Sequence, residues 1–247
     1  VGSEMCIRDR WVVLQNYKNM NREAPLVRNF VRNTYRRVAD TLGVERYQSV
    51  PLYLPGDTLV PERYGRDGTL ACLRGMEGSF DRILPITLED EWLVPRRYLK
   101  RLDDSTAFNH VVFVDRLDQN ITTLERVDKG HWKIRSMNPA TTGRHAPPYA
   151  QETPLGMYLL QQKKSRMVFL KDGSAATGGY APYASRFTNG AYIHGVPVNV
   201  PRTEMIEYSW SLGTTPRSHM CVRNATSHAK FIFDWAPEER SLVVVIE

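Results

Sequence analysis

The sequence predicts a mainly β protein: a β-sandwich unit with one short helix, preceded by a small β-barrel and an N-terminal helix. Three observations lead there. Short runs rich in β-branched and aromatic residues alternate with turn clusters over most of the chain. Apolar residues at helical spacing are confined to one segment near the start and another near the end. Strands do not alternate with long amphipathic helices, which argues against βαβ units and for an antiparallel sandwich or barrel.

Taken in order, residues 1–10 (VGSEMCIRDR) fit no element and read as a non-native or read-through segment, Cys6 included. There is no initiator Met and no signal peptide in view. Residues 11–45 are expected to form an N-terminal helical segment. Within it, Leu26, Phe30, Val38 and Leu42 recur at helical spacing and Gly43 is placed to stop the helix. Residues 46–104 form the small β unit, punctuated by Pro55-Gly56-Asp57, Arg66-Asp67-Gly68 and Gly75-Met76-Glu77-Gly78.

Residues 105–247 form the larger β unit. Strands are expected at Val111–Asp115, Asn120–Val127, His131–Met137, Gly156–Gln161, Arg166–Leu170 and Ala191–His194. Asn224 is placed to cap a helix running to about Trp235, with Pro237 beyond it. Ser241–Ile246 is the last strand.

The chain has 247 residues, long enough to bury a core without staples. Its formal charge of +6 is spread among Asp and Glu. The densest basic stretch, Arg28 to Arg37, reads as a solvated helix face, so no nucleic-acid partner is expected. No stretch approaches the roughly 18 apolar residues of a membrane span. Three cysteines cannot all pair, and none has C-x-x-C spacing. Cys72 reads as core of the small unit.

Cys221 is the thiol with a chemical context. It stands just before the expected start of the last helix, where unpaired N–H groups and partial positive charge favour a thiolate and receive an oxyanion. Such a nucleophile needs a base. His194 sits at a strand end before Gly195, and His219 lies two residues from Cys221. Residue chemistry alone does not choose between them. His194, His219, Cys221 and His228 fit no usual zinc spacing, so no metal is expected.

The ordered motifs resemble a known family. Ile193-His194-Gly195 is similar to the strand-end His-Gly of L,D-transpeptidase catalytic domains (the YkuD-like family). Ser218-His219-Met220-Cys221-Val222-Arg223-Asn224 resembles the family's Ser/Thr-His-Gly-Cys motif, with Met220 where the family has Gly. Thr153-Pro154-Leu155-Gly156 resembles its Thr-Pro-x-Gly turn. Ser136 to Gly143 resembles the segment ending in Thr-Gly, and Ala181-Pro182-Tyr183 through Asn189-Gly190 the lead-in to the His strand. The excursion Pro197–Thr215 makes the His-to-Cys spacing longer than is common, and reads as an inserted loop beside the cleft. In the small unit, Glu91-Trp92-Leu93-Val94-Pro95 through Tyr98 resembles the end of bacterial SH3-like domains. Its aromatics read as core first and as a peptide or glycan groove second.

The resemblance implies a catalytic sandwich with Cys221 as nucleophile, His194 as base and the Gly195 carbonyl as its orienting partner. It implies that His219 lines the site. Ser218, Met220, Arg223 and Asn224 would shape the substrate loop, with Met220 and Cys221 N–H groups in the oxyanion hole. The implied reaction is 3→3 cross-linking of peptidoglycan stem peptides through a thioester, with no cofactor, in the periplasm or cell envelope. Two alternatives keep the acyl-enzyme: water as acceptor, giving an L,D-carboxypeptidase or amidase, or an envelope lipoprotein. A third is a non-catalytic wall-binding protein.

Overall fold

The computed structural model describes residues 11–33 and 37–247. The reading of residues 1–10, and of Cys6, lies outside them. The chain divides into two compact units, Val1–Thr106 and Ala107–Glu247.

The first unit contains strands β1 (Trp11–Leu14), β2 (Val31–Arg32), β3 (Val38–Ala39), β4 (Ser49–Leu52), β5 (Arg63–Arg66), β6 (Leu70–Glu77), β7 (Phe80–Pro85), β8 (Trp92–Pro95) and β9 (Leu99–Arg101). Five of them make one antiparallel sheet in the order β8-β7-β6-β1-β9, while β2 pairs with β3 and β4 with β5. The inward residues Val12, Leu14, Val50, Leu52, Ile83 and Val94 form its core. Trp92 and Tyr98 are buried in that core, so these aromatics pack rather than line a groove. Cys72 is fully buried and disulfide-bonded. That leaves Cys221 as the free thiol among the described residues.

The α-helix expected within residues 11–45 is not formed among the described residues. Of these, residues 25–42 carry only the short pair β2–β3. The physical reason is visible in burial. Leu26, Phe30 and Leu42, which gave the helical spacing, all face solvent. Ala24, Val27 and Val44 are buried instead, against Tyr64. A helix with its apolar stripe in water gains nothing from folding.

The second unit contains β10 (His110–Asp115), β11 (Asn120–Asp128), β12 (His131–Thr141), β13 (Gly156–Leu159), β14 (Gln162–Leu170), β15 (Thr177–Thr188), β16 (Ala191–His194), β17 (Val198–Asn199), β18 (Val222–Asn224), α1 (Thr226–Trp235) and β19 (Ser241–Ile246). One sheet path runs β13-β19-β10-β11-β12-β18-β16-β15-β14, with β17 on β15. The long β12 carries it across: residues up to Pro139 pair with β11, and Ala140 and Thr141 pair with β18. Val112, Val114, Ile121, Val243 and Val245 from one side meet Phe187, Ile193 and Val222 from the other. The two sides thus form a sandwich around one core, which also receives Ile232 and Ala236 from the α1 end.

Two pairs, β10 with β19 and β16 with β18, are parallel, a departure from the expected antiparallel arrangement. β15 was not expected as a strand, because Gly178, Gly179 and Pro182 interrupt its apolar pattern. The Pro182 carbonyl accepts the Gly195 N–H at 2.9 Å. Asn224 does not cap α1. It belongs to β18, and the N-cap is Ala225, which offers no side-chain oxygen. The α1 N-terminus is satisfied instead by Glu207, whose carboxylate accepts the Ser227 N–H at 3.0 Å and also the Ser227 hydroxyl.

Candidate active site

The site is made where β16 and β18 run side by side. In this parallel pair Ile193 lies opposite Val222 and His194 opposite Arg223. Side chains alternate along a strand. Ile193 and Val222 enter the core, so His194, Cys221 and Arg223 emerge together on the other face. All three line one cleft of about 640 Å³, with Ser218, His219 and Gly190.

His194 is buried. Its Nδ1 lies 2.6 Å from the Gly195 carbonyl. A carbonyl only accepts, so Nδ1 carries the hydrogen and Nε2 keeps its lone pair. Burial, reinforced by the nearby Arg223 guanidinium and opposed by the Gly195 hydrogen bond, lowers the imidazole pKa to about 4. The ring is therefore neutral at pH 7 and available as a base. Gly195 is glycine for want of space: a Cβ there would meet Thr226 Oγ1 at 2.8 Å and Pro182 Cγ at 3.0 Å. The same Thr226 hydroxyl accepts the Val196 N–H at 3.1 Å, tying the His strand to the start of α1.

Cys221 is partly buried. Its thiol points at the Gly190 carbonyl, 3.7 Å away. Burial pushes its pKa up, while the Tyr192 amide and the Arg223 guanidinium pull it down. Burial thus opposes the charged form of both the thiol and the imidazole.

The loop carrying the thiol is fixed from beneath by Thr142–Thr153. Gly143 bridges to Ser218, and the Thr142 carbonyl accepts the N–H groups of Arg217 and Ser218. Thr153 Oγ1 accepts the Gly143 N–H and donates to the Met220 carbonyl, each at 2.8 Å. Gly143 permits this close approach: a Cβ would lie 2.3 Å from the Gln151 carbonyl oxygen and 2.8 Å from Met220 Cα. The Ser218 hydroxyl donates to the Cys221 carbonyl, closing the turn around the sulfur. These contacts give a physical role to two motifs that the sequence offered only as likenesses, Thr142-Gly143 and Thr153-Pro154.

The other expected site residues are placed as follows. His219 lines the cleft but is half-exposed, and its Nε2 pairs with Asp172 Oδ2 at 3.1 Å. Met220 turns away and packs on the sandwich core. It is not among the residues with positive φ, so the backbone there does not need glycine. Arg223 lines the cleft, and its buried Nε has no acceptor. Asn224 is fully buried and does not line the cleft.

The excursion expected beside the cleft does form part of its wall, while the β14 side was not foreseen. The Pro197–Thr215 excursion supplies Asn199, Arg202, Ile206, Tyr208 and Trp210, and Met167 to Phe169 of β14 close the other side. Its length and exposed aromatics were the only signals available. Among the described residues, no group of His, Cys, Asp and Glu is arranged to hold a metal, and no helix is long and apolar enough to cross a membrane.

Residues 109–246 match the model of the YkuD family, the L,D-transpeptidase catalytic domain. Among solved structures, the chain is 15% identical to an L,D-transpeptidase from Mycobacterium smegmatis, covering 72% of this chain and 90% of that one, with a TM-score of 0.46. An L,D-transpeptidase from Mycobacterium tuberculosis is 20% identical over 76% of this chain and 70% of its own, with a TM-score of 0.43. A fused zinc-dependent amidase/peptidase and peptidoglycan-binding protein from Clostridium acetobutylicum is 18% identical over 59% of this chain, with a TM-score of 0.42; the chain spans 55% of its length. No curated protein matches the chain.

Proposed function

The chain belongs to the YkuD family of L,D-transpeptidase catalytic domains, and from that premise we propose that it is a cysteine L,D-transpeptidase forming 3→3 cross-links in peptidoglycan. The observation that carries the proposal is the placing of Cys221 and His194 on one face of adjacent strand ends, in one cleft, with Nδ1 of His194 occupied and Nε2 free.

The roles follow from that geometry. Nε2 of His194 takes the thiol proton of Cys221 as the sulfur attacks the carbonyl of the third stem residue. The N–H groups of Met220 and Cys221, in the turn held by Thr153 and Ser218, receive the oxyanion. Arg223, close enough to the sulfur to influence its ionisation, offsets the developing negative charge and holds a substrate carboxylate. The His194 imidazolium then protonates the terminal D-Ala amine, whose C–N bond breaks, leaving a thioester. A stem amine attacks the thioester, gives up its proton through His194, and the C–S bond breaks to release the cross-linked product. The Gly195 carbonyl keeps the imidazole in the required tautomer throughout. His219 and Ser218 shape the wall, and Asn224 is buried within β18 away from the cleft. No cofactor enters these steps. The place of work is the cell envelope, on its periplasmic or outer side, where the stem peptides are. The SH3-like reading of residues 46–104 is kept as a scaffold whose aromatics are core.

The test is turnover of disaccharide-tetrapeptide followed by mass spectrometry. Dimers lacking one D-Ala support transfer. Tripeptide alone assigns hydrolysis, and loss of D-Ala only when a lipoprotein lysine is supplied assigns anchoring. Neither D-Ala release nor dimer would leave the wall-binding reading.

A further inference from the structure

The charge of the cleft is one-sided. Its lining includes the guanidinium groups of Arg202 and Arg223 but no Asp or Glu. Asp172 reaches in only to pair with His219, and Glu207 of the excursion is turned onto Ser227. Some arginines elsewhere pair with carboxylates, such as Arg28 with Asp57, Arg101 with Asp81, and Arg116 with Glu152 and Glu247. Arg202, Arg217 and Arg223 have no such partner among the described residues, and the buried Nε of Arg223 has no acceptor. Arg217 and Arg144 both act on Arg223 as like charges. Cations gathered without counter-charge cost free energy unless an anion joins them.

Arg217 is also held. Its guanidinium lies 4.5 Å from the ring centroid of Trp210, which lines the cleft and is 70% exposed. Stacking fixes the plane of a guanidinium and leaves its edge N–H groups free for a bidentate carboxylate. The same stack makes Trp210 a poor seat for a cationic ammonium. Arg202 and Trp210 both belong to the excursion between the His and Cys motifs and line the cleft, and Arg217 follows it after Pro216, reaching the cleft wall through its stack on Trp210.

We infer that Arg202 and the Trp210-backed Arg217 form a second carboxylate subsite, selecting donor stem peptides whose third residue keeps a free side-chain carboxylate over those in which it is amidated. This rests on the stem-peptide reading given above. Arg223 serves the carboxylate nearest the reacting carbonyl, and Arg202 and Arg217 serve the distal one.

The test uses two soluble tetrapeptides, identical except for a free or amidated side-chain carboxylate on the third residue, titrated against the full chain carrying Cys221→Ala. Binding is followed by tryptophan fluorescence at low and high salt. Turnover of both peptides by the intact protein is measured in parallel. The free acid should bind about fivefold more tightly, as befits an exposed ion pair. The gap should shrink with salt, vanish in Arg202→Gln/Arg217→Gln, and reverse in Arg202→Glu/Arg217→Glu. Equal binding of the two peptides, a preference for the amide, or a preference unchanged in the double variants overturns the subsite, whatever the turnover. Selective binding without D-Ala release upholds the subsite and rejects the catalytic reading instead.

Discussion

Thr153 is bonded to the carbonyl of Met220 at 2.8 Å, and through it the loop that presents Cys221 is fastened to the Thr142-Gly143 turn. The hydroxyl serves twice, as donor to Met220 and as acceptor from Gly143, in a fully buried position. Cys221 is held by its neighbour's backbone rather than by its own side chain.

Thr153→Val keeps the shape and removes both bonds, leaving a buried N–H and a carbonyl without their partner. The expected cost is about 1–3 kcal/mol of stability, with a fall of roughly tenfold or more in the acylation rate of Cys221 from the loosened turn. Thr153→Ser restores most of both. Urea unfolding together with stopped-flow acylation measures the two effects. A valine variant that acylates at the parent rate contradicts the role given to this bond.

Met220→Gly separates packing from backbone freedom. The backbone at 220 does not need positive φ, and the side chain packs on the core. The glycine variant should therefore lose about 1–3 kcal/mol through removed contacts and unfolded-state entropy, with no gain in acylation rate. Faster acylation in the glycine variant would mean that methionine narrows the oxyanion site after all.

The pH dependence of acylation follows from His194. Its pKa of about 4 keeps Nε2 unprotonated through the neutral range, and burial holds the Cys221 thiol protonated there. Acylation should rise with an apparent pKa near 4 and stay level from about pH 5.5 to 7.5. A midpoint near 6.5 would indicate an exposed imidazole or a thiolate–imidazolium resting pair. His194→Gln should lower the plateau by about 100-fold or more.

Stability carries a related signature through His228. This imidazole, on the buried face of α1, is bonded to Ser136 Oγ of β12 at 2.7 Å, and burial lowers its pKa to about 4. The unfolded value is near 6.5, so between the two the unfolded chain binds more protons than the folded one. Stability from His228, and likewise from His194, is intact above pH 6.5 and is lost as pH falls towards 4. Melting temperatures between pH 7 and 4 should decline less steeply in His228→Gln than in the parent. Parallel curves would remove His228 from the account.

What the sequence made legible was the part governed by strand alternation. Ile193 read as an apolar strand residue and points inward, which leaves His194 to the cleft; Val222, in a strand that was not expected, points inward beside it and leaves Cys221 and Arg223 to the same cleft. β16 and β19 have the bounds expected, Ala191–His194 and Ser241–Ile246, because each is a compact β-branched or apolar run. The failures have equally local causes. Apolar spacing at Leu26, Phe30 and Leu42 mimicked a helix, since spacing says nothing about whether a core exists for it to meet. Gly178, Gly179 and Pro182 hid β15, whose burial on both faces comes from its neighbours. Asn224 looked like a cap because Asn favours that position, but β12 claims it as a strand residue at its pairing with Ala140. The stack of Arg217 on Trp210 depends on how the excursion folds back, which no spacing rule encodes.

The central claim is that Cys221, activated by His194, forms an acyl-enzyme with a stem peptide. Intact-protein mass spectrometry after brief mixing with a carbapenem, and separately with tetrapeptide, tests it most directly. The account predicts a single covalent adduct in each case, located on the peptide containing Cys221, absent in Cys221→Ala and slowed by about 100-fold or more in His194→Gln. An unmodified Cys221 under both treatments, or an adduct formed equally fast without His194, would contradict it.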